Sequence, residues 1–161
     1  MSSKCEKFIN YLENLKTTQN KKTLAELRRG ARCSDPTDAT MIYPYVVKWL
    51  RGDWLWIDKC YCMVAILYAL SPKHTNSNGN FGKSFNDANT KDSESFNNRF
   101  RLVVESTQDE LFDNLKSAIS LIRSRDKAIN YKILLDDLIK WNNDDNDVQK
   151  KWASGFWINN S

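Results

Sequence analysis

Histidine is almost absent from the chain: His74 is the only one in 161 residues, and it lies in a polar stretch without a neighbouring nucleophile. A histidine-based triad therefore cannot be assembled with any other imidazole, and His74 reads as a loop residue or a phosphate contact rather than a base. Glycine is also scarce. Its five occurrences, at 30, 52, 79, 82 and 155, are isolated, which excludes a glycine-rich phosphate loop. The four cysteines, Cys5, Cys33, Cys60 and Cys62, follow no ligand or redox spacing, so they read as small buried or incidental thiols in a reducing compartment. Clustered carboxylates are missing too. Asp136 and Asp137 are neighbours in "LLDDLIKW", and adjacent helical positions point roughly 100° apart, a poor acid/base or metal pair. One of the two can pair with a cation while the other is solvated. "NDDND" at 143 to 147 lacks the glycine and distal Glu of a calcium loop and reads as a turn and helix start. The expectation is a chain without cofactor, metal or enzymatic activity.

Long apolar runs are lacking as well. The longest, "CYCMVAILYAL" at 60 to 70, has eleven residues, against the roughly 20 that span a bilayer. It predicts a buried core helix, and the polar amino-terminal stretch carries no secretory signal. With 41% hydrophobic and 27% charged residues, the composition is that of a soluble globular domain, expected in the cytoplasm. Charge is unevenly spread. Residues 1 to 85 carry thirteen Lys and Arg against seven acids, whereas residues 86 to 161 carry eleven against thirteen. The surplus at the amino-terminal side points to a polyanionic partner. It is densest in "KKTLAELRRGAR", residues 21 to 32, where five cations face one Glu. Thr23 and Glu26 have the spacing of a capping box, predicting a helix from about Leu24. On that helix Arg28, Arg29 and Arg32 form one stripe opposite Leu24 and Leu27. A solvated face would look the same, so the stripe alone does not decide the matter.

Nearly every periodic segment has helical spacing, and the fold class is all-α: two small helical lobes joined by a polar linker. Ser3 and Glu6 cap a first helix with Phe8, Ile9, Leu12 and Leu15 on one face. Pro44 opens a helix "PYVVKWLR", and Gly52 and Asp53 separate it from the long "DWLWIDKCYCMVAILYAL". The stretch from 71 to 95 is dominated by Ser, Asn, Asp, Gly, Lys and Thr, too polar for core. The expected division is an N-terminal lobe at 1–72, a linker at 73–95 and a C-terminal lobe at 96–161. In the last lobe Thr107 and Glu110 cap a helix bearing Leu111, Leu115, Ala118, Ile119 and Ile122. Asn130 caps "YKILLDDLIKW", and Asp147 a final helix with Val148, Trp152 and Phe156 every four residues. Most of the six tryptophans fit core packing, whereas Phe81 and Phe85, within the polar stretch, are candidates for stacking on bases.

Several blocks, in order, carry a resemblance: "LAELRRG" (24 to 30), "YP" (43 to 44), "AILYALSP" (65 to 72), "FGKSF" (81 to 85), "RFRLVVES" (99 to 106), "INYKILLDDLIKW" (129 to 141) and "VQKKWASGFW" (148 to 157). Together they resemble the CasB family, the small subunit of Cascade, the RNA-guided surveillance complex of type I-E CRISPR systems. The resemblance runs from about residue 24 nearly to the end. It implies an all-helical, non-enzymatic protein that sits as two copies along the guide-RNA filament. Its partners would be the backbone and large subunits of the complex, a second copy of itself, guide RNA and target DNA, with no membrane. Its role would be to steady guide–target pairing and the displaced strand by sequence-independent backbone contacts. By motif Arg28 and Arg29 match the family's arginine pair, Arg99 and Arg101 fall in its second basic segment, Lys83 lies in the glycine segment and Lys116 in the following helix. Arg32 joins them through the helical stripe. The alternative is a stand-alone helical DNA-binding regulator, although the loop after Ala31 is long and Pro44 badly placed for a helix-turn-helix.

Overall fold

Ser3 accepts the backbone N–H of Glu6 at 3.1 Å and opens α1 (Lys4–Thr17), whose Phe8, Ile9 and Leu12 are buried on one face as their spacing requires. The structure, a computed structural model, describes residues 3–18, 21–91 and 93–158. Among these, α1 is followed by α2 (Lys21–Arg29), α3 (Tyr43–Val46), α4 (Trp56–Leu70), α5 (Phe81–Ala88), α6 (Glu94–Val104), α7 (Gln108–Ser124), α8 (Tyr131–Ile139) and α9 (Asp147–Trp157). Short 3-10 turns lie between several of them, and the β pairing of the described residues is a single bridge between His74 and Ile129. The all-α expectation holds.

Several helix starts differ from the sequence reading, and Asp147 is the first residue of α9 rather than its cap, following Asn146 on left-handed backbone. Helix α2 begins at Lys21, so Thr23 is inside it and buried, while the Glu26 carboxylate accepts the Tyr45 hydroxyl instead of closing a capping box. The residues just before Lys21 lie outside the described ones. Segment "PYVVKWLR" yields only the short α3 and a 3-10 turn at Val47–Trp49, because Val46 alone is fully buried there and no apolar stripe sustains more turns. By contrast, Glu110 accepts the Thr107 N–H at 2.9 Å and Asn130 accepts the Ile133 N–H at 3.0 Å, opening α7 and α8 as expected. Before α4, the buried Asp58 carboxylate accepts backbone N–H groups of Arg51, Gly52 and Trp54 at 2.7, 3.0 and 2.9 Å. That grip forms a tight turn with Gly52 and Trp54 at positive φ, and it delays the helix to Trp56. From there α4 is buried without a break from Cys60 to Ala69, the central rod of the molecule.

The stretch 73–95 is not a bare linker. Asn80 caps α5 by accepting the Lys83 N–H at 3.0 Å, and Phe81, Phe85 and Ala88 are buried. Phe85 packs on Phe96, Phe100 and Phe156, and Phe81 on Trp152. Three apolar residues at helical spacing suffice for about two turns of core contact, which average composition conceals. At the crossing of α5 and α9, a Cβ on Gly82 would stand 2.0 Å from the carbonyl oxygen of Trp152. The backbones touch there.

The division into halves is likewise not a division in space. Helices α5, α6 and α9 gather around the phenylalanine cluster, whereas α8 packs on α1 and α4, and α7 contacts α4 as well as α5 and α6. Trp56 donates its indole N–H to the Leu138 carbonyl at 2.8 Å, and the buried Tyr131 hydroxyl donates to the Ser71 carbonyl at 2.7 Å. One continuous apolar cluster runs from α1 to α9.

Candidate nucleic-acid interface

Helix α2 is amphipathic: Leu24 and Leu27 face the core, and Arg28 and Arg29 are exposed at its last turn. After Arg29 the chain tightens into a 3-10 turn, Gly30–Arg32. Positions three apart eclipse in such a turn, so Arg29 and Arg32 come into line. The reason for the turn lies in Gly30. A Cβ there would meet the Ile66 side chain at 2.7 Å and Ile42 at 3.2 Å, so glycine lets the turn sit directly on α4. Arg28, Arg29 and Arg32 are all exposed, and among the described residues none of them is in an ion pair. Arginines left free in this way match phosphate geometry with several donors each.

The other basic residues separate. Arg99 and Arg101 are exposed on α6, but two positions apart they point roughly 200° from each other, flanking the buried Phe100 rather than sharing a face. Lys83 is half-exposed and paired with Asp87 at 3.2 Å across one helical turn. Lys116 is turned inward. Its side chain is only 18% exposed, its ammonium donates to the carbonyl oxygens of Ala31 at 2.8 Å and Cys33 at 3.4 Å, it pairs with Asp113 at 2.9 Å, and it lies 4.2 Å over the Phe112 ring. A phosphate contact by Lys116 therefore finds its donors already directed at the protein.

Phe81 and Phe85, offered by the sequence as base-stacking candidates, are 2% and 0% exposed and belong to the core. His74 is occupied as well: its Nδ1 accepts the Tyr131 N–H at 3.2 Å at the start of α8, and its Nε2 faces Asn76 at 3.0 Å. Asp136 pairs with Lys132 at 3.2 Å, the cation pairing expected of one of the two, while Asp137, instead of being left to solvent, accepts the Trp152 indole N–H at 2.8 Å. Burial raises the Asp137 carboxyl above the ordinary range, and the indole bond only partly offsets it. The cysteines are free; burial pushes Cys5 up to about 11 and Cys62 up to about 12. Among the described residues no three His, Cys, Asp or Glu side chains converge on a possible metal position. No described helix is long and apolar enough to cross a membrane.

Two features escaped the sequence reading. Trp54 is 39% exposed on left-handed backbone, with its ring 5.0 Å from Tyr43. A second group of cations, Lys16, Lys73, Arg123 and Lys127, surrounds the carbonyl ends of α1, α4 and α7. Lys16 donates to Pro72 and Lys73 to Asp126, so part of that charge caps helix ends.

A helical frame closed around one apolar rod, with arginines that have no ion pair among the described residues on a turn seated on that rod, defines the class: an all-α protein with a basic face. Residues 23–157 match the family described as CRISPR-associated protein Cse2, and the chain belongs to that family, also called CasB. It is 27% identical over 157 residues to a CRISPR-associated protein Cse2 of Thermus thermophilus, covering 94% of this chain and 89% of the relative. The crystal structure of CasB from Thermus thermophilus superposes with a TM-score of 0.83 at 27% identity, over 98% of this chain and 99% of that one. The same fold, at 19% identity and a TM-score of 0.71 over 92% of each chain, occurs in a CRISPR RNA-guided surveillance complex.

Proposed function

We propose that this Cse2-family protein is the non-catalytic small subunit of a type I-E Cascade surveillance complex, holding guide RNA–target DNA pairing and the displaced strand through backbone phosphates. The observation that carries this reading is the arginine turn: Arg28, Arg29 and Arg32 exposed, unpaired among the described residues, and mounted on buried structure. Arg99 and Arg101, exposed on two sides of α6, and the half-exposed Lys83 are further candidate phosphate contacts in this reading. In RNA-guided complexes base pairing reads the sequence, so a subunit of this kind needs only cationic side chains at phosphate spacing. Its partners in this reading are the backbone and large subunits, a second copy of the chain, guide RNA and target DNA, in the cytoplasm.

The test replaces Arg28, Arg29 and Arg32 together by Ala in an assembled complex and measures binding of a matched target duplex across salt concentrations. Binding is expected to weaken, and the log-log salt slope to flatten by roughly 0.7 per lost contact on a single strand or 0.9 on B-form duplex. Mismatch discrimination should stay as it was, since phosphate contacts carry no sequence information. Unchanged affinity and slope in a fully incorporated variant would overturn the proposal.

A further inference from the structure

We infer that Lys116 is a positioning residue for the arginine turn and does not itself touch nucleic acid; the inference rests on the phosphate-gripping role proposed for that turn. The last carbonyls of a helical turn have no partner within it and need donors from elsewhere. Here those of Ala31 and Cys33, the two residues flanking Arg32, converge on one ammonium at 2.8 and 3.4 Å. That ammonium arrives from α7, far along the chain, and Asp113 at 2.9 Å and the face of Phe112 at 4.2 Å fix its position. Phe112 is itself buried, so the ring beneath the ammonium belongs to the core. From the other side Gly30 presses the turn onto Ile66 and Ile42. The backbone of residues 30 to 33 is thus clamped between α4 and Lys116, with the Arg32 side chain left outside the clamp.

Such an arrangement divides the work. Lys116 has its donors aimed at two carbonyls and a carboxylate and is 18% exposed, whereas Arg32 has no ion pair among the described residues. A phosphate reaching the lysine would have to break that set, while a phosphate reaching Arg32 finds its donors free and its backbone held. Pre-ordering the turn lowers the conformational cost of binding without adding a contact.

A double-mutant cycle in the assembled complex tests this. Lys116→Met keeps an apolar stem on Phe112 and removes the donors. With the arginines present, Lys116→Met is expected to weaken target binding about as much as Arg32→Ala and to flatten the salt slope by roughly one phosphate contact, 0.7 to 0.9. In the background lacking Arg28, Arg29 and Arg32, measured at low salt where binding is still detectable, it should change neither affinity nor slope. A further loss in that background would make Lys116 a phosphate contact in its own right. Lys116→Met that lowers only Tm, with affinity and slope intact, would reduce it to a staple of the fold; either result overturns the inference. If Lys116→Met does not enter the complex, Lys116→Arg serves in the same cycle, since it keeps the charge and loses the compact ammonium on which the carbonyls converge. If the triple arginine variant itself binds normally, the underlying role fails, and that result is distinct from an additive Lys116 effect.

Discussion

Asp58 shows how one side chain can set a local structure. Its carboxylate is buried, which opposes its charge, yet the N–H groups of Arg51, Trp54 and Gly52 outweigh burial and hold it below the usual carboxylate range. Asp35 behaves alike, with burial overcome by the hydroxyl and N–H of Thr37. A carboxyl lowered in the folded state contributes stability that is present above its unfolded value of about 3.9 and is lost as pH falls through the folded value. Asp58→Asn keeps the size but removes the charge and sets an amide N–H₂ against backbone donors, at a cost of about 2 to 4 kcal/mol at pH 7. The left-handed backbone of Trp54 would also lose its anchor. Urea unfolding at pH 7 and again below about pH 4 checks this: the gap between the two proteins should narrow in acid. A gap independent of pH would mean that shape, and not the carboxylate charge, organises the turn.

At the level of elements, what was legible in the sequence was local, and what was hidden was distant. The caps at Ser3, Thr107 with Glu110, and Asn130 lie within three residues of the groups they bind, and the apolar repeats of α1, α7 and α9 can be counted along the chain. The exposed arginines of α2 could be read in the same way, because Leu24 and Leu27 mark the buried side. Lys116 could not, since the carbonyls it binds are 85 and 83 residues away. Helix α5 was concealed for a related reason: although Phe85 also meets Phe96 and Phe100 of α6, most of the surface on which α5 packs comes from α9 at the far end of the chain. That crossing is intolerant of volume. Gly82→Ala would place a methyl 2.0 Å from the Trp152 carbonyl oxygen, where backbone and not a flexible side chain must yield, so the cost is expected to reach about 3 kcal/mol or more. The same change at Gly30 meets side-chain atoms of Ile66 and Ile42 rather than backbone, at 2.7 Å or more, and should cost less. Paired thermal melts of the two variants compare them directly, and equal losses would contradict the backbone contact.

Taken as a whole molecule, the chain packs around one continuous apolar cluster although its sequence alternates apolar helices with a polar middle. Helix α8, late in the sequence, fills the space between α1 and α4, and α7 bridges that group to the phenylalanine cluster of α5, α6 and α9. The two sequence halves are therefore expected to depend on each other, since Tyr131, Leu134, Leu135 and Leu138 of α8 are buried in a helix that packs on α4 and α1. The exposed loop at Asn76, Ser77 and Asn78 is the place to test this, since its backbone can be cut with little loss of packing. A site-specific protease sequence placed there, cleaved after folding, should yield two fragments that stay together on size exclusion at the mass of the intact chain. They should unfold in one transition at lower temperature, because cutting the chain adds back the entropy of two independent pieces. Fragments that separate while remaining helical would show two autonomous lobes, and the clamp on the arginine turn, which joins α7 to residues 30 to 33, would then have to form only within the assembled complex.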